Sequence, residues 1–217
     1  NVGNTQAAKK ATLSETKKTI GVGTYGEDNF YFHKAKTKYC VTVKNAQKGA
    51  AYAFVSSNKK VVTVKKSGTK GYLTGVKAGT ATVTVKQTLK GKTVTVGKCK
   101  VTVKNATVSA TENANETLGM GDNVQIGGAE RDAICYIKYL NPDATYTYKS
   151  NDSNLKMTQV KADAEWAVGK GYFCYAQKYT AKKPGTYTVT LQEKYKGKTK
   201  NVGKFKVIIH DTVIQDS

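Results

Sequence analysis

The sequence predicts an all-β protein built from two tandem β-sandwiches, and three observations support this prediction. The closing part of the chain occurs twice, because residues 75–104 match residues 181–210, and Gly79, Gly91 and Gly97 each recur 106 positions later. The composition is rich in Val, Thr and Tyr, which favour the half-buried surface of a sheet. Short alternating segments, with turn residues about every 8–12 positions and no helical period, are typical of a sandwich.

The repeat divides the 217 residues into two domains. We assign residues 1–10 to a loose polar terminus, residues 11–104 to the first domain and residues 105–217 to the second. The offset between matching residues is 94 in the middle of the domain and 106 at its end, so the second copy contains an insertion of twelve residues. This insertion lies near residues 161–176 and contains the single tryptophan of the chain, Trp166.

The first half of each domain is predicted to contain short strands joined by polar turns. Residues 13–23 fit a short strand, a polar turn and a corner in which glycine alternates with apolar residues, and residues 108–121 repeat this order. Residues 30–46 carry one or two strands, and their counterpart is residues 123–140. Both copies therefore begin with the same series of elements.

The second half of each domain begins with the matched segments 51–68 and 144–160. Each contains a cluster of polar residues, SSNKK or SNDSN, whose Ser, Asn and Asp side chains bond to nearby backbone, so we predict a turn there. The closing hairpin follows, with its tip at Gly91 or Gly197. In the first copy its alternation predicts that Thr and Lys face water and that the inward residues are Val83, Val85, Cys99, Val101 and Val103.

These segments resemble the bacterial immunoglobulin-like domain, group 2. The shared pattern is an apolar-glycine opening, an aromatic residue before a serine turn, a V-x-T-V strand and the motif G-x-x-A-G-T-A-T-V-T-V. The family often has Trp at the aromatic position, where this chain has Phe or Tyr. In the first copy the matching residues are Gly23, Phe54, Ser56, Ser57, Val61, Thr63, Val64, Gly75, Ala78, Gly79, Thr80, Ala81, Thr82 and Val83. The more divergent second copy keeps Gly121, Tyr148, Ser150, Pro184, Gly185, Thr186 and Thr188.

The resemblance implies two tandem immunoglobulin-like β-sandwiches from a bacterial surface or secreted protein, a class that includes adhesins of the intimin and invasin type. Such modules act as spacers, present a terminal binding domain, or bind host or cell-wall glycans. Because the family has no shared catalytic site, the resemblance implies a non-enzymatic function without a cofactor, and no catalytic residue is carried over. It also implies an extracellular or cell-surface location and contact with other domains of the same polypeptide.

The chain carries a net charge of +21, from 36 Lys and Arg against 15 Asp and Glu. This excess attracts polyanions such as acidic glycans, wall polymers, nucleic acid or anionic lipid. Specific nucleic-acid readout is disfavoured because Arg131 is the only arginine, and base recognition favours the planar fork of arginine. Lysine along strands is also typical of a solvated outer face. Since no apolar run approaches the ~18 residues of a membrane helix, we expect no membrane insertion.

Few side chains are candidates for catalysis or metal binding. His33 and His210 are the two histidines, one in each domain, and neither lies in a zinc-binding or nucleophile motif. The stretch 151–154 (NDSN) lacks the glycine and the downstream glutamate of a calcium loop, so we predict an Asx turn there. We therefore expect no metal site and no enzyme activity.

Four cysteines are present, and four allow three pairings. Cys40 and Cys99 lie in the first domain, whereas Cys135 and Cys174 lie in the second. We predict one disulfide within each domain, of which the first closes a loop of about 60 residues and stabilises the fold by ~4 kcal/mol. The alternative is that all four are buried thiols that act as small apolar groups.

The insertion is the candidate binding site. Trp166 and Tyr172 lie close in sequence to Lys170, and aromatic rings beside amines suit stacking on sugars that carry acidic groups. Tyr175 completes the candidate set. The alternative is that Trp166 folds back onto its own sandwich and covers an edge strand. Two functions are therefore open: a spacer or adhesion segment, and a module that binds carbohydrate or polyanion through its lysine-rich faces or through the insertion.

Overall fold

The chain is all-β and folds as two compact units. The computed structural model describes residues 3, 9–23, 31–34, 38–127 and 132–215. Of these, the first unit contains residues 3, 9–23 and 38–104, and the second contains residues 31–34, 105–127 and 132–215. Most of the predicted loose terminus, residues 1–10, lies outside the described part of the chain.

The strands follow one another at short intervals, as the spacing of turn residues predicts. Up to Lys104 they are β1 (Thr12–Leu13), β2 (Lys17–Gly21), β3 (His33–Lys34), β4 (Cys40–Lys44), β5 (Ala51–Ser56), β6 (Val62–Ser67), β7 (Lys70–Gly75), β8 (Gly79–Leu89) and β9 (Lys92–Lys104). Beyond it lie β10 (Thr107–Ala110), α1 (Asn113–Glu116), β11 (Gly119–Ile126), β12 (Cys135–Lys138), β13 (Thr145–Ser150), β14 (Leu155–Asp163), α2 (Glu165–Val168), β15 (Tyr172–Ala181), β16 (Gly185–Tyr195) and β17 (Lys198–Val213).

The first unit is an immunoglobulin-like sandwich of two sheets. One sheet has the strand order β1-β4-β7-β6, and the other has the order β2-β9-β8-β5. The chain crosses from the first sheet to the second between β1 and β2, and β2 then runs parallel to β9. This is the immunoglobulin division of strands, with A, B, E and D in one sheet and C, F and G in the other. The predicted fold class is therefore confirmed.

Alternation along the strands fills the core of the first unit with β-branched side chains. The five residues predicted to point inward are each at most 2% exposed: Val83, Val85, Cys99, Val101 and Val103. The facing sheet contributes the buried residues Val41, Val43, Val62 and Leu73. Lysines on the same strands stay exposed, as Lys98 and Lys100 do in β9. The predicted sheet with one wet face is therefore confirmed.

The second unit repeats this plan with two changes in the strand pairing: β11 links the two layers, and in the described residues β12 pairs with β10 alone, whereas β4 of the first unit pairs with both β1 and β7. Its main sheet has the order β13-β16-β17-β11-β15-β14, while β10 pairs with β12. Strand β11 begins parallel to β17 at Gly119 and continues antiparallel to β15 as far as Ile126. In the first unit the same link is a single bridge, in which Gly23 and Gly75 exchange backbone hydrogen bonds of 2.8 and 3.1 Å. Strand β11 therefore joins the two layers of the second unit through more paired residues than the described residues of the first unit do.

The two closing hairpins, β8–β9 and β16–β17, share their geometry in detail. At each tip a lysine and a glycine have positive φ, 50° and 75° in the first hairpin and 49° and 75° in the second. A two-residue type I′ turn requires positive φ at both positions. Each hairpin also has a β-bulge at the equivalent place, after Val85 and after Leu191. The repeat seen in the sequence is therefore a repeat of backbone geometry.

The predicted polar turns are also present in both units. The Asn58 side-chain oxygen accepts a hydrogen bond from the Lys60 N–H at 3.0 Å. In the second unit the Asp152 carboxylate accepts one from the Asn154 N–H at 2.8 Å. A serine hydroxyl two residues earlier accepts from the backbone in each case, at 3.3 Å. The stretch 151–154 is therefore the predicted Asx turn.

One short segment lies in a different unit from the one expected. Residues 30–46 were predicted to carry one or two strands of the first domain, and β4 is one of these. Strand β3 instead pairs with β15, with His33 opposite Phe173. The His33 side chain is 4% exposed, and its ring centroid lies 5.5 Å from that of Phe173. Because burying these two rings stabilises the pairing, residues 31–34 belong to the second unit rather than to the predicted first domain, 11–104.

The insertion lengthens one hairpin of the second unit. Strands β6 and β7 have six residues each, whereas β14 and β15, their counterparts, have nine and ten. The short helix α2 lies between β14 and β15, and Asp163 pairs with Phe173 just before the tip. Residues 161–176 therefore form the outer part of a long hairpin.

Candidate functional site

Trp166 stands on α2, at the tip of the β14–β15 hairpin. Its indole N–H donates a hydrogen bond of 3.2 Å to the backbone carbonyl of Asp163. The Glu165 carboxylate accepts a bond of 3.0 Å from the Gly171 N–H, which closes the turn. The Trp166 side chain is nevertheless 75% exposed. It therefore does not fold back to cover an edge strand, which was the alternative expectation for this residue.

The four candidate residues of the insertion do not form one surface. Lys170 is exposed near the tip, whereas Tyr172 and Tyr175 are half-buried in β15. Because side chains alternate along a strand, these two tyrosines, three residues apart, point to opposite faces. The Lys34 amine lies 5.1 Å from the centre of the Tyr172 ring. Trp166 and Lys170 are the two candidates that present exposed side chains at the tip.

Tyr175 belongs to a packed aromatic group with His33 and Phe173. Its ring centroid lies 6.0 Å from that of His33 and 5.6 Å from that of Phe173. The Lys161 amine lies 4.2 Å from the centre of the Phe173 ring. The cavity beside His33 and Tyr175 has a volume of about 10 Å³, which is room for one water at most. This group is therefore part of the packed interior and offers no ligand pocket.

The two predicted disulfides are not formed, because all four cysteines are free thiols. In β4 the buried residues are Val41 and Val43, so Cys40 points to the outer face while Cys99 is fully buried inside. In β15 Cys174 lies on the face opposite Tyr175 and Gln177, the residues that line the small cavity together with Cys135. The partners of each predicted pair therefore face away from one another.

Cys135 is an interior thiol of the second unit. Its sulfur lies 3.2 Å from the Tyr148 hydroxyl. Burial raises the pKa of Cys135 to about 12, partly offset by this hydrogen bond, and burial also raises the pKa of Tyr148 well above its usual value. Since the thiolate is the reactive form of cysteine, Cys135 is chemically inert at neutral pH.

A buried tyrosine organises the same corner of each unit, and the sequence analysis missed it. In the first unit the Tyr52 hydroxyl donates to the Gln87 side-chain oxygen at 2.8 Å and accepts from the Gln47 N–H at 2.8 Å. The signal was present, because each of these residues has a polar counterpart at the offset of 94 or 106. The pairing itself depends on bringing β5 next to β8.

In the second unit a carboxylate replaces the amide. The Tyr146 hydroxyl donates to Glu193 at 2.7 Å and accepts from the Asn141 N–H at 2.7 Å. Glu193 is 4% exposed, and the Lys200 amine lies 3.6 Å from its other oxygen. Lys200 also donates to the Asn105 side chain at 3.0 Å. Burial, together with the Glu193 charge, raises the pKa of Tyr146 and keeps it a neutral donor.

The remaining candidates for chemistry lie apart from one another. The His210 ring nitrogen is 2.9 Å from the Asn115 carbonyl, while His33 is packed among aromatic rings. No three His, Cys, Asp or Glu side chains within the described ranges are grouped as a metal ion needs. No helix in the same ranges is long and apolar enough to cross a membrane.

Comparisons with known proteins give only weak structural likenesses. No family model matches the sequence, and no curated protein matches it. Among solved structures, domains 5–6 of the S-layer protein SbsC are 17% identical, with a TM-score of 0.30 over 94% of this chain and 98% of that one. The D00–D0 domain of intimin is 11% identical, with a TM-score of 0.29 over 93% of this chain and 100% of that one. Likenesses at this level carry no information about what the chain does.

We predict that replacing Tyr146 with Phe destabilises the second unit by ~1.5–3 kcal/mol, because a buried carboxylate loses its donor. The matched change Tyr52→Phe removes a bond to a neutral amide and is expected to destabilise the first unit by ~1 kcal/mol. Hydrogen exchange under native conditions, resolved by mass spectrometry, measures both units in the full chain. Equal losses of unfolding free energy in the two variants would show that the Glu193 charge does not strengthen its hydrogen bond with Tyr146.

We also predict four free thiols. The intact mass without reductant should equal that of the fully reduced chain, and a mass lower by two hydrogens would establish a bridge. In the native protein at mildly alkaline pH, an alkylating reagent should modify the partly exposed Cys40 first. Cys135 should stay unmodified because its raised pKa keeps it protonated until about pH 12. Rapid labelling of Cys135 would contradict its burial.

Proposed function

We propose that the chain is a non-enzymatic, extracellular or cell-surface module of a larger bacterial exported protein, and that it acts as a spacer or adhesion segment. The observation that supports this most directly is the parallel pairing of an early strand with the closing strand in each unit, β2 with β9 and β11 with β17. In the first unit β2 and β9 pair over five positions, from Lys17 with Lys100 to Gly21 with Lys104. The sequence resemblance to bacterial immunoglobulin-like domains supports the proposed location.

This pairing suits a segment that carries tension. The chain enters β2 at Lys17 and leaves β9 at Lys104, at opposite ends of the parallel pair. Tension on the two chain ends therefore pulls along the strands and loads the ladder of hydrogen bonds together. In the second unit β11 and β17 pair in parallel at two positions, with a bulge between them. The second unit is therefore expected to yield at the lower force.

We predict two unfolding events when the full chain is pulled from its ends in a single-molecule force experiment. The event at lower force should release the longer segment, because the second unit contains more residues. Lys18→Pro removes a backbone donor in β2 and should lower the force of the shorter event alone. Lys18→Ala is the control, since it removes the partly buried ion pair with Glu15 and keeps the backbone donor. Unchanged forces in the proline variant would reject the mechanical role.

A second candidate function is a carbohydrate- or polyanion-binding module, and the exposure of Trp166 favours it. A ring that is 75% exposed and held in orientation by its own N–H bond is well prepared for stacking on a sugar. Lys170 offers a positive charge near the tip. The lysine-rich outer faces supply a further, less specific attraction for host or cell-wall glycans.

We predict that Trp166→Ala weakens binding to immobilised mucin about tenfold, the effect of losing ~1.4 kcal/mol, if the tip makes the contact. Val168→Ala is the matched control, because Val168 is 40% exposed on the same short helix. Retention on heparin across a salt gradient measures the general effect of the lysines. Retention equal to that of an unrelated lysine-rich protein, with no loss in the Trp166 variant, would reject this second function.

A further inference from the structure

The first unit contains a groove beside the buried Tyr52 corner, and Gln47 and Gln87, the hydrogen-bond partners of Tyr52, belong to its lining. It has a volume of about 460 Å³, within the 300–1,000 Å³ range of small-molecule sites. Residues 9–11 form one wall, and the tip half of the β8–β9 hairpin forms the other. This groove lies in the unit that lacks the insertion, so it is separate from the Trp166 tip.

The groove combines positive charge, amides and an aliphatic floor. Its charged lining residues are all lysines: Lys9, Lys10 and Lys92. Its apolar lining is aliphatic and comes mainly from Leu89, Val94 and Val96. The side chains of Gln47 and Gln87 also line it. The Gln47 amide N–H groups donate to the Lys9 and Asn45 carbonyls and the Gln87 oxygen accepts from Tyr52, so the Gln47 oxygen is the acceptor and the Gln87 NH₂ the donor that they offer to a ligand. Among the described residues, no acidic side chain lies in the lining to neutralise the amines.

The second unit shows what closes the equivalent place. Val94 and Gln87 correspond to Lys200 and Glu193 at the offset of 106, and these last two residues, opposite each other on β17 and β16, form an ion pair at 3.6 Å in which Glu193 is buried and Lys200 is half-exposed. Lys200 also bonds to Asn105 at 3.0 Å. In the first unit the change from lysine to a 41% exposed valine removes the cross-link. The Lys200 side chain therefore reaches across this place to Asn105 in the second unit, and Val94 is too short to do so in the first.

The wall formed by residues 9–11 is also more basic in the first unit than its counterpart is in the second. Leu13 lies against Gly97 as Val108 lies against Gly203, which aligns Lys10 with Asn105. At this position the second unit has Asn105, whose amide bonds to Lys200, whereas the first unit has the positively charged Lys10. Three differences at one place, Val94, Gln87 and Lys10, all open the groove or make it more basic.

We propose that this groove binds an acidic saccharide, meaning sugar rings that carry carboxylate or sulfate groups. The lysines meet the acidic groups, the glutamine amides bond to ring hydroxyls, and the aliphatic floor contacts the C–H face of a ring. Single-stranded nucleic acid is a poorer match, because the described part of the lining contains neither an aromatic ring nor an arginine. This proposal goes beyond the spacer role and does not depend on the Trp166 tip.

The test uses the full chain and a hyaluronan tetrasaccharide, with chitotetraose as the uncharged counterpart and tetraglutamate as an acidic peptide. Calorimetric titration at about 0.15 M salt, where long-range charge effects are screened, measures each affinity. Binding of the hyaluronan fragment alone is expected. Equal or tighter binding of chitotetraose or tetraglutamate would overturn the assignment to an acidic saccharide.

The decisive variant combines Gln87→Glu with Val94→Lys, which copies the ion pair of the second unit and leaves the net charge at +21. We expect at least a tenfold loss of affinity, because the Gln87→Glu carboxylate repels the acidic groups of the saccharide and the longer Val94→Lys side chain occupies the groove. If this variant fails to fold, a second pair of variants tests the proposal. Lys92→Gln should weaken binding, and Lys198→Gln, at the same hairpin position of the second unit, should not. Equal effects of these two changes, or full binding by the double variant, would overturn the proposal.

Discussion

Both units depend on a single constraint, the strict alternation of inward and outward side chains along the closing hairpin. In the first unit this alternation buries Val83, Val85 and Val101 completely. A slip of one residue would expose all of them, so the register is strongly specified. The bulge after Val85 and the type I′ tip set where that register starts and changes. Every other strand of the sandwich pairs with this hairpin or packs across from it.

The same frame allows the two copies to differ in what their surfaces do. A buried tyrosine bonds across strands in each unit, to Gln87 in one and to Glu193 in the other. A buried carboxylate needs a compensating charge, and Lys200 provides it. The partly buried, uncharged Gln87 amide needs none, so Val94 can lie at the surface and leave an open groove. The replacement of Glu193 by Gln87 beside the buried tyrosine thus accompanies a difference in the shape of the surface.

The candidate binding site was predicted only in part. The place of the insertion follows from the offset between the copies, whereas the exposure of Trp166 was left open by the sequence and is seen only in the structure. Tyr175 was counted with it, but it lies in the packed group around His33. Its role depends on β3, a two-residue strand that joins the sheet from a distant part of the chain. The sequence around Tyr175 does not reveal that His33 is its neighbour, because the two residues meet only when distant strands pack together.

By itself the sequence determined the all-β class, the two copies, their hairpin tips and polar turns, and the inward residues of the closing strands. These features follow from local periodicity and from turn residues, which act over a few positions. Only the tertiary structure decided which unit holds residues 31–34, which faces carry Cys40 and Cys174, and whether the corner beside the buried tyrosine is open or bridged. Each of these depends on groups brought together by the packing of distant strands.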